Sequence, residues 1–433
     1  MREMKDSGIS WVGEIPLQWN VYRNKDGFIN TKTIVGENSK NTPLLSLTTK
    51  GIKLKDIDNP EGKQPESFDT YQCVEINDLV MCLFDLDISA VFSGLSSYNG
   101  MISPAYKVLK CNERVIAKYA DYWFRYIFDG RKFNQYAKNI RYTLTYDVFS
   151  ALPMLYPSVG EQQNIADYLD TKCAQIDTII AKEQSIIEKL QEYRQSIITE
   201  TVTSGLDSTV NMVASNVEWI DKIPLDWEIT RFTKSFEFFK GLNIKKTDLA
   251  DSGACVVSYG QVHAKNNNGY SLQDNLIRYV AENLIDEKSL LQEGDFVFAD
   301  TSEDLEGVGN CIYIDSSNKV YAGYHTLVAR CFDEHICTKY FAFLFLTDIW
   351  RSQLRKNANG TKVYSVTQKM FKAVSCLVPP IEEQLKIVAY LEQKCDSIDR
   401  VISHKLTIID TLTEYKKSLI YEVVTGKKEV PHV

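Results

Sequence analysis

The feature that most constrains how this chain can fold is an internal repeat made of two separate blocks. The block Ile9–Trp19 returns as Val217–Trp227, and the block Pro157–Ser204 returns as Pro379–Gly426. A period this long holds a complete domain, so the two copies should fold alike. At 433 residues the chain has room for two such copies, each with its own core.

The stretch between the two blocks differs between the copies. The first block returns after 208 residues and the second after 222, so the intervening stretch is 14 residues longer in the second copy. Most residue identities in this stretch also differ. Divergence confined to the middle of each copy favours a protein with two binding heads; a duplication that preserves only the fold is the alternative.

The block that begins at Pro157 is typical of a long helix. Neither Pro nor Gly occurs between Glu161 and Thr203, and apolar residues recur at heptad spacing. Pro157 stops the helix from extending backward, Ser158 and Glu161 form a capping box, and Gly205 ends the helix. Each helix should have about 43 residues and a length of roughly 64 Å.

Helices of this length exceed what a domain of this size needs, so the two should pair. Closed two-body symmetry predicts an antiparallel coiled coil with a pseudo-two-fold axis. A long helix packed only on its own domain is the alternative. The predicted contact positions, for the coiled coil or a partner, are Leu169, Ile176, Ile180, Ile187, Leu190, Leu391, Ile398, Ile402, Ile409 and Leu412.

The charge of the first helix separates it from any DNA-binding surface. It carries eight acidic and four basic side chains between Glu161 and Glu200. Such a helix should avoid phosphates. Its outer face suits either a protein partner or solvent alone.

The variable stretches read as a mixture of short strands and helices. Apolar β-type runs lie at 78–84 and 106–109 in the first copy, and at 295–299, 311–314 and 326–329 in the second. Helices are predicted near 118–128 and 338–350. The predicted fold class is therefore α+β, a tandem repeat in which a long helix follows each α/β domain.

Each copy also carries a basic stretch without acidic residues just before its long helix. The whole chain has a net charge of -8, so two such windows in matching places indicate local DNA contacts rather than a basic coat. Cations there can contact phosphates, and amide and aromatic side chains can reach base edges. A solvated face is the alternative for each window. The predicted contacts are Arg131, Lys132, Lys138, Arg141, Tyr142, Arg351, Arg355, Lys356, Lys362 and Tyr364.

Several classes of protein are disfavoured by missing signals. The ten cysteines are scattered without a CxxC pair, and the five histidines show no metal-ligand spacing. The sequence has no phosphate loop, no dinucleotide-binding glycine motif and no HExxH. Its longest apolar run, Tyr340–Leu346, is far short of a membrane span, and residues 1–13 lack the apolar core that is typical of a signal peptide. We expect a cytoplasmic protein with no metal, no cofactor and no membrane contact.

The motifs at the edges of the repeat resemble a known family, the specificity (S) subunits of type I restriction-modification systems. These motifs are Ile-Pro-x-x-Trp, at Ile15–Trp19 and Ile223–Trp227, and the Glu-Gln pair that opens each helix, at 161–162 and 383–384. The segment Gly323-Tyr-His-Thr-Leu-Val-Ala is also similar to that family, and His325 within it is added to the predicted DNA contacts. The corresponding loop at 94–104 matches less closely.

The resemblance implies that residues 1–156 and 206–378 are target recognition domains, each reading one half of a bipartite, asymmetric sequence in double-stranded DNA. Residues 157–205 and 379–433 would be the conserved spacer helices, whose coiled coil docks methyltransferase subunits. Those partners would use S-adenosylmethionine, and separate restriction subunits would use ATP. This chain itself would be non-catalytic.

Two other classes remain open on the sequence. A free-standing methyltransferase or nuclease would turn over its substrate without a partner. A coiled-coil adaptor without a role on DNA would bind no DNA even with its partner present.

Overall fold

The computed structural model describes residues 2–56, 65, 67–137, 141–358, 360 and 362–431. It contains two compact units. Unit 1 comprises Met1–Gln184 and Leu406–Val433, and unit 2 comprises Ser185–Lys405. Each unit therefore includes one part of each long helix.

Unit 1 is built from short strands, two short helices and parts of the long helices. Its strands are β1 (Met4–Asp6), β2 (Glu14–Pro16), β3 (Asn20–Arg23), β4 (Phe28–Thr31), β5 (Leu45–Thr48), β6 (Gly51–Leu54), β7 (Gln72–Val74), β8 (Leu79–Met81), β9 (Ser93–Leu95), β10 (Gly100–Ile102), β11 (Lys107–Cys111) and β12 (Pro153–Tyr156). Its short helices are α1 (Ala117–Asp129) and α2 (Tyr146–Ala151), and the long helix α3 spans Val159–Ser204.

Unit 2 repeats this pattern with more strands. They are β13 (Met212–Val217), β14 (Ile220–Pro224), β15 (Glu228–Arg231), β16 (Phe236–Lys240), β17 (Leu249–Ala250), β18 (Ala254–Val257), β19 (Arg278–Val280), β20 (Phe296–Ala299), β21 (Thr301–Ser302), β22 (Cys311–Tyr313), β23 (Val320–Ala322), β24 (Thr326–Cys331), β25 (Tyr364–Ser365) and β26 (Ser375–Val378). The helices are α4 (Tyr259–Val262), α5 (Thr338–Leu344), α6 (Asp348–Arg355), α7 (Gln368–Phe371) and the long helix α8 (Ile381–Val424).

Each unit has its own four-stranded central sheet, and the two sheets have the same arrangement of strands. In unit 1 the order is β4-β11-β8-β9, and in unit 2 it is β16-β24-β20-β22, with antiparallel pairing throughout. Both units also pair the strand after the Ile-Pro-x-x-Trp motif with the strand before the long helix, as β3 with β12 and β15 with β26. Unit 2 adds the sheet β17-β19-β18-β23, in which β18 and β23 run parallel.

Alternating side chains of the central sheet in unit 2 enter two different cores. Phe296 and Phe298 of β20 belong to the cluster that includes α5 and α8, whereas Val297 and Ala299 belong to a second cluster on the opposite face. Successive side chains of a strand point to opposite faces, so a strand covered on both sides is apolar throughout. The four residues of β20 are all buried.

The predicted short helices have different outcomes. The helix predicted near 118–128 is confirmed as α1. The single helix predicted near 338–350 is wrong, because α5 ends at Leu344 and α6 begins at Asp348. Thr347 caps α6, and its side chain accepts a hydrogen bond of 3.2 Å from the backbone N–H of Trp350. An N-cap directly after the apolar run therefore divides the predicted helix in two.

The long helices are confirmed and pack together within each unit. In unit 1, Arg2 forms ion pairs with Glu161 at the start of α3 and with Glu429 after the end of α8. Farther along both helices, Asp177 of α3 contacts Lys416 of α8. As residue numbers rise along α3, the residues they face on α8 have falling numbers, so the two helices pair in antiparallel orientation.

The same pairing occurs in unit 2. Arg194 of α3 contacts Asp399 of α8, and the end of α3 at Gly205 lies beside Glu383 at the start of α8. The predicted fold class, a tandem α+β repeat with paired long helices, is therefore confirmed. Within the described part of the chain, no helix is long and apolar enough to cross a membrane.

Candidate nucleic-acid interface

The Trp and Glu residues of the repeated motifs form a clamp in each unit. The indole N–H of Trp19 donates a hydrogen bond of 3.0 Å to Glu161 Oε2. The indole N–H of Trp227 donates one of 2.9 Å to Glu383 Oε2. Both indoles are buried. The motifs that carry the family resemblance are therefore structural, because they tie the first hairpin of each unit to the start of a long helix.

The Gln residue after each Glu links the long helix to the segment before the first short helix of that copy, α1 or α5. Gln162 Oε1 accepts from the backbone N–H of Ile116 at 2.9 Å, just before α1. Gln384 Oε1 accepts from the N–H of Cys337 at 2.9 Å, just before α5. Each Gln also donates to the carbonyl of the proline five residues earlier. These buried amides fix the angle between the helix and the segment it supports.

An ion pair joins the two long helices at matching positions in each unit. Lys416 Nζ lies 2.7 Å from Asp177 in unit 1, and Arg194 Nη1 lies 2.7 Å from Asp399 in unit 2. In unit 2 the hydroxyl of Tyr270 also donates to Asp399, at 2.7 Å. Burial raises the pKa of the Tyr270 hydroxyl, and its hydrogen bond to Asp399 raises it further, so this phenol stays protonated.

The predicted coiled-coil positions lie on the packed faces of α3 and α8. Leu169, Ile176, Ile180 and Leu412 pack in the core of unit 1, and Leu190, Leu391, Ile398 and Ile402 pack in the core of unit 2. Ile187 and Ile409 are half-buried.

A second set of apolar side chains on the long helices faces outward. In unit 1 these are Ile179, Ile408 and Tyr415, and in unit 2 they are Val401, Ile186 and Tyr193. Each is between 39% and 54% exposed, and each position in one unit corresponds to a position in the other through the repeat. Matching exposed apolar groups in both units indicate a surface suited to a protein partner.

Two arginines of the basic window of unit 1 make contacts within the protein. Arg131 has a positive φ of 49°, donates to the carbonyl of Leu86 and lies 4.6 Å from the centre of the Phe128 ring. Arg141 is exposed and lies 3.5 Å from Asp85. Tyr142 is exposed and has a φ of 48°.

The remaining residues of this window differ in what the structure describes. Lys132 is half-buried, and Lys138 lies outside the described residues.

In the basic window of unit 2, two arginines are held by internal contacts. Arg351 donates at 2.7 Å to the carbonyl of Phe345 and at 2.7 Å to Asn310 Oδ1, and burial lowers its pKa. Arg355 donates at 2.8 Å to Asp348 and at 2.9 Å to the carbonyl of Glu306. Both guanidinium groups brace the loop before β22, a role that the charge pattern does not reveal.

The other predicted contacts in this window are two exposed lysines and a half-buried tyrosine. Lys356 is exposed and pairs with Glu218, and Lys362 is exposed as well. Tyr364 is half-buried in β25, which pairs with β21. The exposed lysines are therefore better placed for phosphate contacts than the two arginines.

His325 lies directly before β24, at one end of the two inner strands of the central sheet of unit 2, beside groups that the sequence did not single out. Its Nδ1 is 3.1 Å from Asp300 Oδ1, and the rings of Tyr259 and Tyr324 lie near it. Asp300 and Tyr259 are distant from His325 in sequence. The pairing of β20 with β24 brings Asp300 to His325, and the backbone N–H of Tyr259, at the start of α4, donates to the carbonyl of Tyr324. Asp300 follows the strand predicted at 295–299, whereas no sequence pattern indicated Tyr259.

Comparison with known proteins finds similarity to specificity subunits of type I restriction enzymes. Residues 224–413 match the family model of the type I restriction modification DNA specificity domain. The chain is 24% identical over 278 residues to the type I restriction enzyme StySPI specificity subunit of Salmonella potsdam. It is also 24% identical over 277 residues to the EcoKI specificity subunit of Escherichia coli. Each match covers 61% of this chain but only 56% of the relative's length.

The fold has a counterpart among solved structures. A chain from a structure concerning complex assembly and conformational transition of the type I R-M system aligns with a TM-score of 0.69. It is 12% identical and covers 96% of this chain and 99% of its own length. At that identity the match shows the fold alone. Together with the family model and the curated relatives, it confirms the resemblance of this chain to the specificity subunits of type I restriction-modification systems.

Proposed function

We propose that this chain is a non-catalytic specificity subunit that reads a bipartite, asymmetric sequence in double-stranded DNA. The observation that carries the proposal is the division of each unit into a constant and a divergent part. Both units keep the sheet order, the Trp–Glu clamp and the cross-helix ion pair, whereas their surface loops differ. Two readers with one architecture and different surfaces suit two different half-sites.

Within this proposal, residues 1–156 and 206–378 are the readers. Exposed cations make the sequence-independent contacts with phosphates, and aromatic and imidazole groups approach base edges. Arg351 and Arg355 support the loop before β22, and the exposed Arg131 donates to the carbonyl of Leu86. The groups proposed to face DNA are Lys132, Lys138, Arg141, Tyr142, His325, Lys356, Lys362 and Tyr364.

The long helices, 157–205 and 379–433, are proposed to carry the protein partners. The matching exposed apolar side chains of α3 and α8 would receive methyltransferase subunits, because exposed apolar patches mark protein interaction sites and aromatic residues are enriched in interfaces. ATP-dependent restriction subunits complete the proposed complex. Methyl transfer and ATP hydrolysis belong to these partners, which act with this chain on DNA in the cytoplasm.

Reconstitution tests the proposal as a whole. The purified chain should not methylate DNA, and adding its methyltransferase partner should give methylation at one bipartite sequence, mapped by sequencing of the modified DNA. Methylation by the chain alone would show that it is an enzyme. Methylation by the complex without any sequence preference would contradict the reading role.

Substitutions separate the DNA-facing from the partner-facing surface. Lys356→Glu combined with Lys362→Glu should weaken binding to all DNA sequences by about 10-fold or more, and the slope of log K against log salt should become shallower by about 1.8, or 0.9 per lost contact. The matched variant, Ile186→Lys with Tyr193→Lys, should keep that slope and lose assembly with the methyltransferase. The reverse pattern would assign DNA binding to the helices.

A further inference from the structure

The pairing of β20 with β24 brings an Asp and a His together at one end of these two strands. Ala299 and Thr326 are cross-strand partners, so the next residue of one strand, Asp300, meets the preceding residue of the other, His325. The backbone N–H of Asp300 donates to the carbonyl of His325 at 3.1 Å. His325 has a φ of 52°, and its side chain is 62% exposed.

The backbone around His325 is fixed by hydrogen bonds. Thr326 Oγ1 donates to the carbonyl of Gly323 at 2.7 Å, and the N–H of Gly323 donates to the carbonyl of Val257 at 2.7 Å. A non-glycine residue in the left-handed region is strained and persists only where the surroundings enforce it. Here they hold an exposed imidazole in one place.

Asp300 determines which ring nitrogen of His325 carries the proton. An ionised carboxylate only accepts hydrogen bonds, so the Nδ1 atom, 3.1 Å from Asp300 Oδ1, must be the donor. In the neutral imidazole the exposed Nε2 is then an acceptor. A base edge that meets this ring must therefore offer a donor, which in the major groove is the amino group of adenine or cytosine.

The surroundings of the ring favour the same kind of contact. The tyrosine rings of Tyr259 and Tyr324 lie 6.4 Å and 6.0 Å from it, centre to centre. The loop after β21 carries three exposed carboxylates, those of Glu303, Asp304 and Glu306. Burial raises the pKa of Tyr259, and the charges of Glu303 and Asp304 raise it further. Carboxylates repel phosphates and accept from base amino groups.

The corresponding place in unit 1 has different chemistry. Asp78 before β8 and Asp295 before β20 each accept 2.8 Å hydrogen bonds from a backbone N–H three residues earlier, which aligns the two strands. With that alignment and the matching pairing of β8 with β11, Leu83 and Ala105 occupy the positions of Asp300 and His325. The His–Asp pair therefore belongs to one reader only.

We propose that His325, oriented by Asp300, determines specificity by accepting a hydrogen bond from the amino group of an adenine or cytosine in the half-site read by unit 2. This inference rests on the proposed function. Asp300 is a positioning residue that sets the tautomer, and His325 makes the contact with the base.

The test uses the full-length chain assembled with its methyltransferase and maps base preference at every position of both half-sites. His325→Ala should reduce discrimination at one position of one half-site by about 10-fold or more, since a good side-chain contact with a base contributes about that much. Asp300→Asn should admit guanine or thymine at the same position beside adenine or cytosine, because the Asn amide can either accept from Nδ1–H or donate to Nδ1 and so no longer fixes the tautomer. A purely structural role for Asp300 would not change which base is preferred.

Controls within the same experiment separate failure of this inference from failure of the proposed function. The exposed His335, in the same unit, provides a matched variant, and His335→Ala should leave both half-sites unchanged. The half-site read by unit 1 should be unchanged in every variant, which shows that the protein is folded.

An unchanged sequence preference in both His325→Ala and Asp300→Asn would overturn the inference and leave the proposed function standing. The same holds if the affected position prefers guanine or thymine in the unsubstituted protein. Absence of any sequence preference in the unsubstituted complex would overturn both.

Discussion

The constant and divergent parts of the two units differ in what their side chains contact. In the constant part, Trp19 and Trp227 each donate to a Glu in the first turn of a long helix, at nearly equal distances. In the divergent part, Asp300 and His325 of unit 2 correspond to Leu83 and Ala105 of unit 1. Residues that tie distant segments together are kept, and residues at the ends of the inner strands change. The two units therefore share the contacts that hold the fold together, and they differ in the side chains that their surfaces present.

The largest test of this comparison removes the clamp. Trp19→Ala and Trp227→Ala should each lower the free energy of unfolding of their own unit by about 3–5 kcal/mol, because a large buried side chain and its hydrogen bond are lost. Hydrogen exchange resolved by peptide measures the two units separately. The exposed leucines of the same motifs give the control, and Leu17→Ala and Leu225→Ala should each cost less than about 0.5 kcal/mol. A large effect in one unit only would mean that the clamps are not equivalent.

A smaller effect is expected at the glycines that end the long helices. Gly205 and Gly426 have φ values of 78° and 73°. A Cβ atom at Gly426 would lie 2.4 Å from Pro16 Cδ, and one at Gly205 would lie 3.3 Å from Trp227 Cζ2. Gly205→Ala and Gly426→Ala should each destabilise the protein by about 1–3 kcal/mol in chemical denaturation.

Gly160, in the first turn of α3, is the matched control for these helix-end glycines. It has open space around it and no positive φ. Gly160→Ala should stabilise the protein by up to about 1 kcal/mol. Equal destabilisation at all three glycines would show that strain at the helix ends is not the cause.

The smallest effect separates the two cross-helix ion pairs. A double-mutant cycle with Asp177→Asn and Lys416→Met should give a coupling energy of about 0.2–1 kcal/mol, as for other exposed pairs. The cycle with Asp399→Asn and Arg194→Met should give a larger value, since Asp399 is less exposed and also accepts from Tyr270. If the two cycles gave equal coupling energies, at low salt and at high salt alike, this ranking would be wrong.

Local signals predicted the elements better than the site. Proline, glycine and heptad spacing located both long helices to within a few residues, since these signals act within one or two turns. The acid-free windows were less informative. Arg351 and Arg355 lie in such a window, yet both donate to backbone carbonyls of other segments. A charge pattern contains no information about which carbonyl a folded chain brings within reach.

The sequence by itself determined the repeat, the α+β class and the resemblance to specificity subunits, because repeated blocks and helical periodicity are properties of residue order. Tertiary structure alone decided how the motifs are used. It joined Trp227 to Glu383, Arg194 to Asp399 and Asp300 to His325, pairs that no local pattern links. Hydrogen bonds and ion pairs act over about 3 Å, and only folding brings groups this far apart in the chain to that distance.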